Sequence, residues 1–249
     1  MSVLSIAYRG MKAAALIVGV LVTCGFTFRP GGPIELHFKE FNAAMPRGNT
    51  VTICHAHGCQ KQEKYSFTAA DISELAELMD RVRTSDTPHE ERRAISYAIA
   101  WMERRVGPST GTANDRASLG FFNASGQLDC VDEATNATSY MIVLQNNDLL
   151  RHHDVIRPFS KASFFQWPHF AAMIKERRTG RVYAVDSGVG PNDTNPSVQL
   201  ASKWYIDEGG RAPSPAPAQT FATAVHEPQV TLKSSDDLAQ LVQQILREQ

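Results

Sequence analysis

Cysteine is scarce, at four residues in 249, so the fold cannot be built on a disulfide framework and must rest on a hydrophobic core. An excess of either charge is missing too. Lys+Arg at 25 against Asp+Glu at 26 gives a net charge of -1, which leaves no sequence-wide basic field to hold phosphate backbones, and nucleic acid is set aside as a partner. Long apolar runs are also wanting: the uncharged stretch 13–28 has sixteen residues, short of the roughly twenty that a membrane-spanning helix needs. What the chain does have is 43% apolar and 8% aromatic residues, an ordinary globular composition that fits one compact domain with tails.

Arg9 and Lys12 precede the apolar stretch, and Leu16, Ile17, Val18, Val20, Leu21 and Val22 fill it. Charge followed by an apolar run is the order of an export signal. No A-x-A cleavage site follows closely, so a cleaved signal and a short anchor with its N-terminus inside both stand as readings of residues 1–28. Leu21-Val22-Thr23-Cys24 resembles a lipoprotein box except for the threonine, and the plain alternative for the segment is a buried N-terminal helix. Residues 29–33 read as a linker, 34–208 as the folded domain, 209–234 as a Pro/Ala-rich tail, and 235–249 as an amphipathic helix with Leu238, Leu241, Val242 and Ile245 on one face. That helix offers a face to the domain or to a protein partner.

In an oxidising compartment outside the cytoplasm, periplasmic or otherwise extracytoplasmic, Cys54 and Cys59 are expected to pair. Residues 51–54 and 60–67 read as two strands around a His-Ala-His-Gly turn, with the cysteines facing each other across the hairpin. A metal held by Cys54, His55, His57 and Cys59 is the competing reading, but so tight a cluster wraps a tetrahedral ion poorly. No metal or other cofactor is expected. Cys130 is then left unpaired, which singles it out, because a free thiol in such a compartment is a liability unless buried or used.

Two amphipathic helices are expected next. Thr68 caps the first, with Ile72, Leu75, Met79 and Val82 on one face, and Thr87-Pro88-His89-Glu90 is a capping box for the second, continued by Ile95, Ala98, Ile99 and Met102. Residues 107–126 read as a long polar loop. A third helix starts behind the cap Asp129 and is apolar from Tyr140 to Leu144, so it is expected to be buried on most sides. A strand region follows at Val155 and Ile156. His169 to Glu176 and Arg181 to Ser187 read as a hairpin turning in Arg177 to Gly180.

Cys130 falls in the first turn of the third helix, where free amides and the dipole favour a thiolate and suit an oxyanion. His169 opens a strand and Asp186 closes its partner. A thiol nucleophile needs a base and a group that orients it, and this order supplies both. A four-residue turn over Arg177 to Gly180, with the glycine left-handed, puts Asp186 opposite Ala171 and on the face of His169. Asp132 and Glu133 follow the cysteine closely, and their negative charge opposes a thiolate. Each residue also has a structural reading: Cys130 as a small core residue, His169 as a packed histidine, Asp186 as a turn cap, Trp167 and Pro168 as packing or a cleft wall. Arg151-His152-His153 offers rival bases.

Cysteine at the start of a buried helix, then histidine and aspartate on successive strands at these intervals, resembles the transglutaminase-like superfamily, in particular the bacterial transglutaminase-like cysteine peptidases of the papain-like group. The resemblance spans about residues 120–189 and rests on order and spacing. It implies an α+β fold with a papain-like core, a helix carrying Cys130 packed on an antiparallel sheet, and a thiol-dependent acyl-transfer enzyme acting on a peptide or protein. Within it Cys130 is the nucleophile, His169 the base and Asp186 the orienter. The chain departs from that pattern at Val131, where transglutaminases often carry an aromatic residue, and in lacking the papain-like oxyanion glutamine, for which Gln127 and Asn123 are the nearest candidates. The alternative is a catalytically silent, envelope-associated binding module of the same fold.

Overall fold

The computed structural model describes residues 31–116, 124–161, 168–188, 190–192 and 194–206. The expected export segment with Cys24, the oxyanion candidate Asn123, Trp167, the Pro/Ala-rich tail and the C-terminal amphipathic helix lie outside the described residues. The chain divides into units Met1–Ala212 and Pro213–Gln249, the second wholly outside them. Among the described residues no helix is long and apolar enough to cross a membrane.

The architecture is α+β. In chain order it runs α1 (Glu35–Glu40), β1 (Thr50–His55), β2 (Lys61–Ser66), α2 (Ala69–Val82), α3 (Pro88–Thr110), α4 (Cys130–Asn146), β3 (His153–Lys161), β4 (His169–Glu176), β5 (Val182–Asp186), β6 (Ser197–Leu200) and α5 (Ala201–Ile206). β1 and β2 form a hairpin, and β3 to β6 form an antiparallel sheet in sequence order.

Local chemistry explains the helix ends. Thr68 and Asp71 cap α2 reciprocally, each side chain accepting the other's backbone N–H. At α3 the box is only half made: Thr87 accepts from Glu90 N–H, but the Glu90 carboxylate turns outward to accept from the N–H and hydroxyl of Thr84, at 3.1 and 3.0 Å. α3 also continues beyond Gly107, where the polar loop was expected, and ends at Thr110 with Gly111 left-handed. Pro108 lies inside the last turn without an N–H to give to the carbonyl four residues back. Gly107 is required there because the chain doubles back on it, and a Cβ would lie 2.9 Å from Ala113 Cα. Gly107→Val is therefore expected to lower stability by about 1–3 kcal/mol, read as a lower urea midpoint at unchanged slope.

α4 is buried from Val131 to Leu144, as its apolar run implied, so its polar residues depend on internal partners, which Ser139 Oγ lacks among the described residues. Thr135 and Thr138 donate to the carbonyls four residues back, at 2.7 and 2.6 Å. Tyr140, Met141 and Leu144 meet Val51 and Ile53 of β1, Leu75 and Met79 of α2, Ile95 and Ile99 of α3, and Ala172 and Ile174 of β4 in one core. Alternation along β4 sends Ala171 and Met173 to the other face, where they pack with Ala184, Ala201 and Trp204.

Lys175 pairs with Val182, Ile174 with Tyr183, Met173 with Ala184 and Ala172 with Val185, so the turn is Arg177 to Gly180 and the register carried on sets Asp186 opposite Ala171. Gly180 has φ 69°. The expected four-residue turn is therefore the one observed. β3 carries one extra residue between Ile156 and Phe159 against β4.

Cys54 and Cys59 are disulfide-bonded with Cα atoms 4.4 Å apart, but not across paired strands as expected. Cys54 is opposite Gln62 in the ladder, and Cys59 lies in the turn. The reason is the turn's conformation: Ala56, His57, Gly58 and Cys59 all have φ between 59° and 67°, one turn of left-handed helix that curls Cys59 back over Cys54. Left-handed backbone costs about 1–2 kcal/mol at each residue other than glycine, so this turn must be held by its surroundings.

Candidate active site

Three elements bring Cys130, His169 and Asp186 together. α4 presents Cys130, half-buried, at its first position, behind an N-cap in which Asp129 accepts from Val131 N–H and Asp132 N–H. β4 opens with His169 and β5 closes with Asp186, whose Oδ2 is 2.8 Å from His169 Nε2. That bond occupies Nε2, and Cys130 is near enough to the imidazole to act on its protonation. The thiol donates to Pro168 O at 3.5 Å. Gly188 sits where the three meet: a Cβ there would lie 3.5 Å from His169 Cε1, 3.8 Å from Asp186 Oδ1 and 4.0 Å from Cys130 Cα.

His169 continues the sheet face of Ala171 and Met173, whereas α4 packs on the opposite face. Cysteine and histidine therefore come from different layers and meet at the end of the sheet. Trp204 of α5 completes the histidine side. Its indole N–H donates to Asp186 Oδ2 at 2.8 Å and its ring lies 5.9 Å from the imidazole, while Lys161 Nζ lies 4.6 Å from the indole centre and donates to Trp204 O at 2.8 Å. Sequence reasoning missed Trp204 because α5 is six residues long and the four-residue β6 before it has no clear alternation; its one signal was a lone tryptophan beyond the last recognised strand.

Burial disfavours the imidazolium of His169, but the hydrogen bond to Asp186, its charge and the neighbouring Cys130 outweigh it, and the pKa is pushed up to about 9. Asp132 and Glu133 do not act as the sequence implied. Burial first, then Asp129, pushes Asp132 up to about 7 against three backbone amides that pull the other way. Burial and the facing Glu103, Asp115, Asp132 and Asp186 push Glu133 well above the carboxylate range. Their negative charge beside Cys130 is thus reduced.

A histidine whose folded pKa is raised contributes stability that is complete below its unfolded value and is lost as pH rises through the folded one. For His169 that window runs from 6.5 to about 9. The melting temperature of the wild type is expected to fall more steeply across that window than that of His169→Gln, and parallel curves would exclude the charged pair.

The remaining sequence candidates fall elsewhere. Gln127 is not aimed at Cys130: its side chain donates to Asn114 O at 3.2 Å and accepts from Arg116 N–H at 3.3 Å, bracing the loop before α4. No hydrogen bond is made by the Cys130 N–H among the described residues, and it is the backbone donor at the helix start. His152 and His153 sit at the opposite end of the sheet, His152 on Asp86 at 3.0 Å and His153 buried against Glu91 at 2.9 Å, which removes both as rival bases. The sulfurs of Cys54 and Cys59 are bonded to each other and are not thiolate ligands. The metal-like grouping they form with Asp132 is a disulfide beside a carboxylate.

No family model, curated protein or solved structure matches this chain.

Proposed function

We propose that the protein is a thiol-dependent acyl-transfer enzyme of the transglutaminase-like, papain-like kind, with Cys130 as nucleophile, His169 as acid and base, and Asp186 as the group that orients the imidazole. The observation that carries the reading is the His169–Asp186 hydrogen bond, closed by Trp204, with the half-buried Cys130 gathered beside the same Gly188. The imidazolium sets a positive charge beside the nucleophile. Cys130 Sγ attacks the carbonyl carbon of a peptide, carboxamide or ester, forming the C–S bond. The Cys130 backbone N–H faces the developing oxyanion, and His169 gives its proton to the departing amine or alcohol. Water, or an amine, then attacks the thioester as His169 takes its proton, and the thiol is restored.

The reading includes a peptide or protein substrate and an exported location, which a buried disulfide supports because such bonds persist in oxidising compartments. With a p-nitrophenyl ester as probe, the wild type is expected to release a burst of nitrophenolate equal to the enzyme present, and Cys130→Ala none. Asp186→Asn should keep the fold and lose less than His169→Ala, since it disturbs orientation alone. A wild type that neither bursts nor alkylates at Cys130 faster than His169→Ala is the silent binding module instead.

A further inference from the structure

The Cys54–Cys59 turn is gripped by the same helix that presents Cys130. Nearly two helical turns beyond the thiol, Asn136 takes the Cys54 backbone on both sides, Oδ1 accepting from Cys54 N–H at 2.8 Å and Nδ2 donating to Cys54 O at 2.9 Å. Four residues earlier on the same helix face, Asp132 accepts from His57 N–H at 2.9 Å and Cys59 N–H at 2.6 Å. The same carboxylate accepts from Asp129 N–H at 3.2 Å and so belongs to the N-cap. On the other side of Cys130, Ala56 N–H donates to Gln127 O at 2.8 Å and Gly126 N–H to His55 Nδ1 at 3.1 Å. The turn thus holds the chain on both sides of the thiol.

The left-handed path of Ala56 to Cys59 brings His57 N–H and Cys59 N–H onto one carboxylate, and a run of such residues does not persist unaided. The covalent bond from Cys54 to Cys59 closes it. We propose that this disulfide, acting through Asp132, positions the start of the Cys130 helix, so that the thiol gains its reactivity only after Cys54 and Cys59 have been oxidised. The inference rests on the reading of Cys130 as nucleophile. Oxidation is by exchange with a small-molecule or protein disulfide: both thiols are converted to one S–S bond, and two electrons and two protons pass to the oxidant, which leaves as two thiols. Both sulfurs are buried in the product, so the bond is shielded once formed. Asp132 is a positioning residue in this account. Without its two amide donors the carboxylate faces the cap of Asp129, and the first turn carrying Cys130 loses its register against His169.

The test uses the full chain and the rate of Cys130 alkylation by iodoacetamide at pH 7, resolved by peptide mass. Protein reduced with dithiothreitol and freed of it, and the variant Cys54→Ser/Cys59→Ser, are each expected to alkylate Cys130 about tenfold more slowly than oxidised protein. Reoxidation with glutathione disulfide should restore the rate, a recovery that irreversible loosening would not show. Circular dichroism checks that the helices persist. If the double variant does not fold, Asp132→Ala with its disulfide intact decides: a tenfold loss supports the proposal, and the wild-type rate overturns it. Equal rates in oxidised and reduced folded protein overturn it likewise. Oxidised wild type alkylating no faster than His169→Ala is a different failure, that of the nucleophile reading itself.

Discussion

His169→Ala is expected to reduce acyl transfer by about 10²–10⁴-fold and to slow alkylation of Cys130 at neutral pH, while the disulfide and the fold persist. In the proposed mechanism the imidazole supplies two things to the sulfur. As a cation, with a pKa raised to about 9, it sets a positive charge beside the attacking atom. As a base and acid within reach, it moves the proton that the leaving group needs. Asp186 and Trp204 do neither and only hold the ring, so their loss should be smaller. Iodoacetamide labelling followed by mass, beside the nitrophenolate burst, separates the two roles. Unchanged labelling in His169→Ala would mean that the two side chains are adjacent without being coupled.

The largest effect on stability is expected at the other end of the sheet. Glu91 is buried, and its carboxylate accepts Arg151 N–H at 2.6 Å, His152 N–H at 2.9 Å, His153 N–H at 3.0 Å and His153 Nδ1–H at 2.9 Å. Three backbone donors leading into β3 and one imidazole thus depend on one side chain. Arg92 continues the network, 3.2 Å from His153 Nε2 and 3.3 Å from Glu176 Oε2, with its guanidinium 3.9 Å over the Tyr183 ring. Glu91→Ala leaves four donors without this acceptor, two of them on the buried His153, and is expected to cost about 3–5 kcal/mol, measured by urea denaturation. Burial works against the Glu91 charge and these donors outweigh it, holding the carboxyl below its usual range. That contribution is present above the unfolded pKa and disappears on acidification. Asp86→Ala, at an exposed carboxylate nearby, should have little effect. Similar midpoints for both variants would show that the buried network carries no stability.

Much of this was legible in the chain because strong local signals agreed with the tertiary result. Asp129 before a buried apolar run marked α4, and Gly180 four residues after Glu176 marked the turn that aligns Asp186 with His169. Other elements were hidden for physical reasons. The left-handed course of the Ala56 to Cys59 turn has no sequence signature, since three of its four left-handed residues are not glycine and their conformation is imposed by Asp132 and the disulfide. α1, β6 and α5 are too short for a period to register. The half-made cap at Thr87 was lost to a competing partner, Thr84, which no spacing rule weighs.

The β4–β5 turn acts as a ruler for the chemistry. Asp186 lies six residues beyond Gly180, roughly 20 Å along an extended chain, yet its facing is set by how many residues the turn contains. A single deletion or insertion among Arg177 to Gly180 would shift the strand by one step and rotate Asp186 away from His169 without touching either. Loops at protein surfaces ordinarily absorb length changes over generations at little cost. This one is expected to be intolerant of them, and a library of turn-length variants should lose acyl transfer wherever the residue count departs from four, however freely the identities at Arg178 and Thr179 can vary.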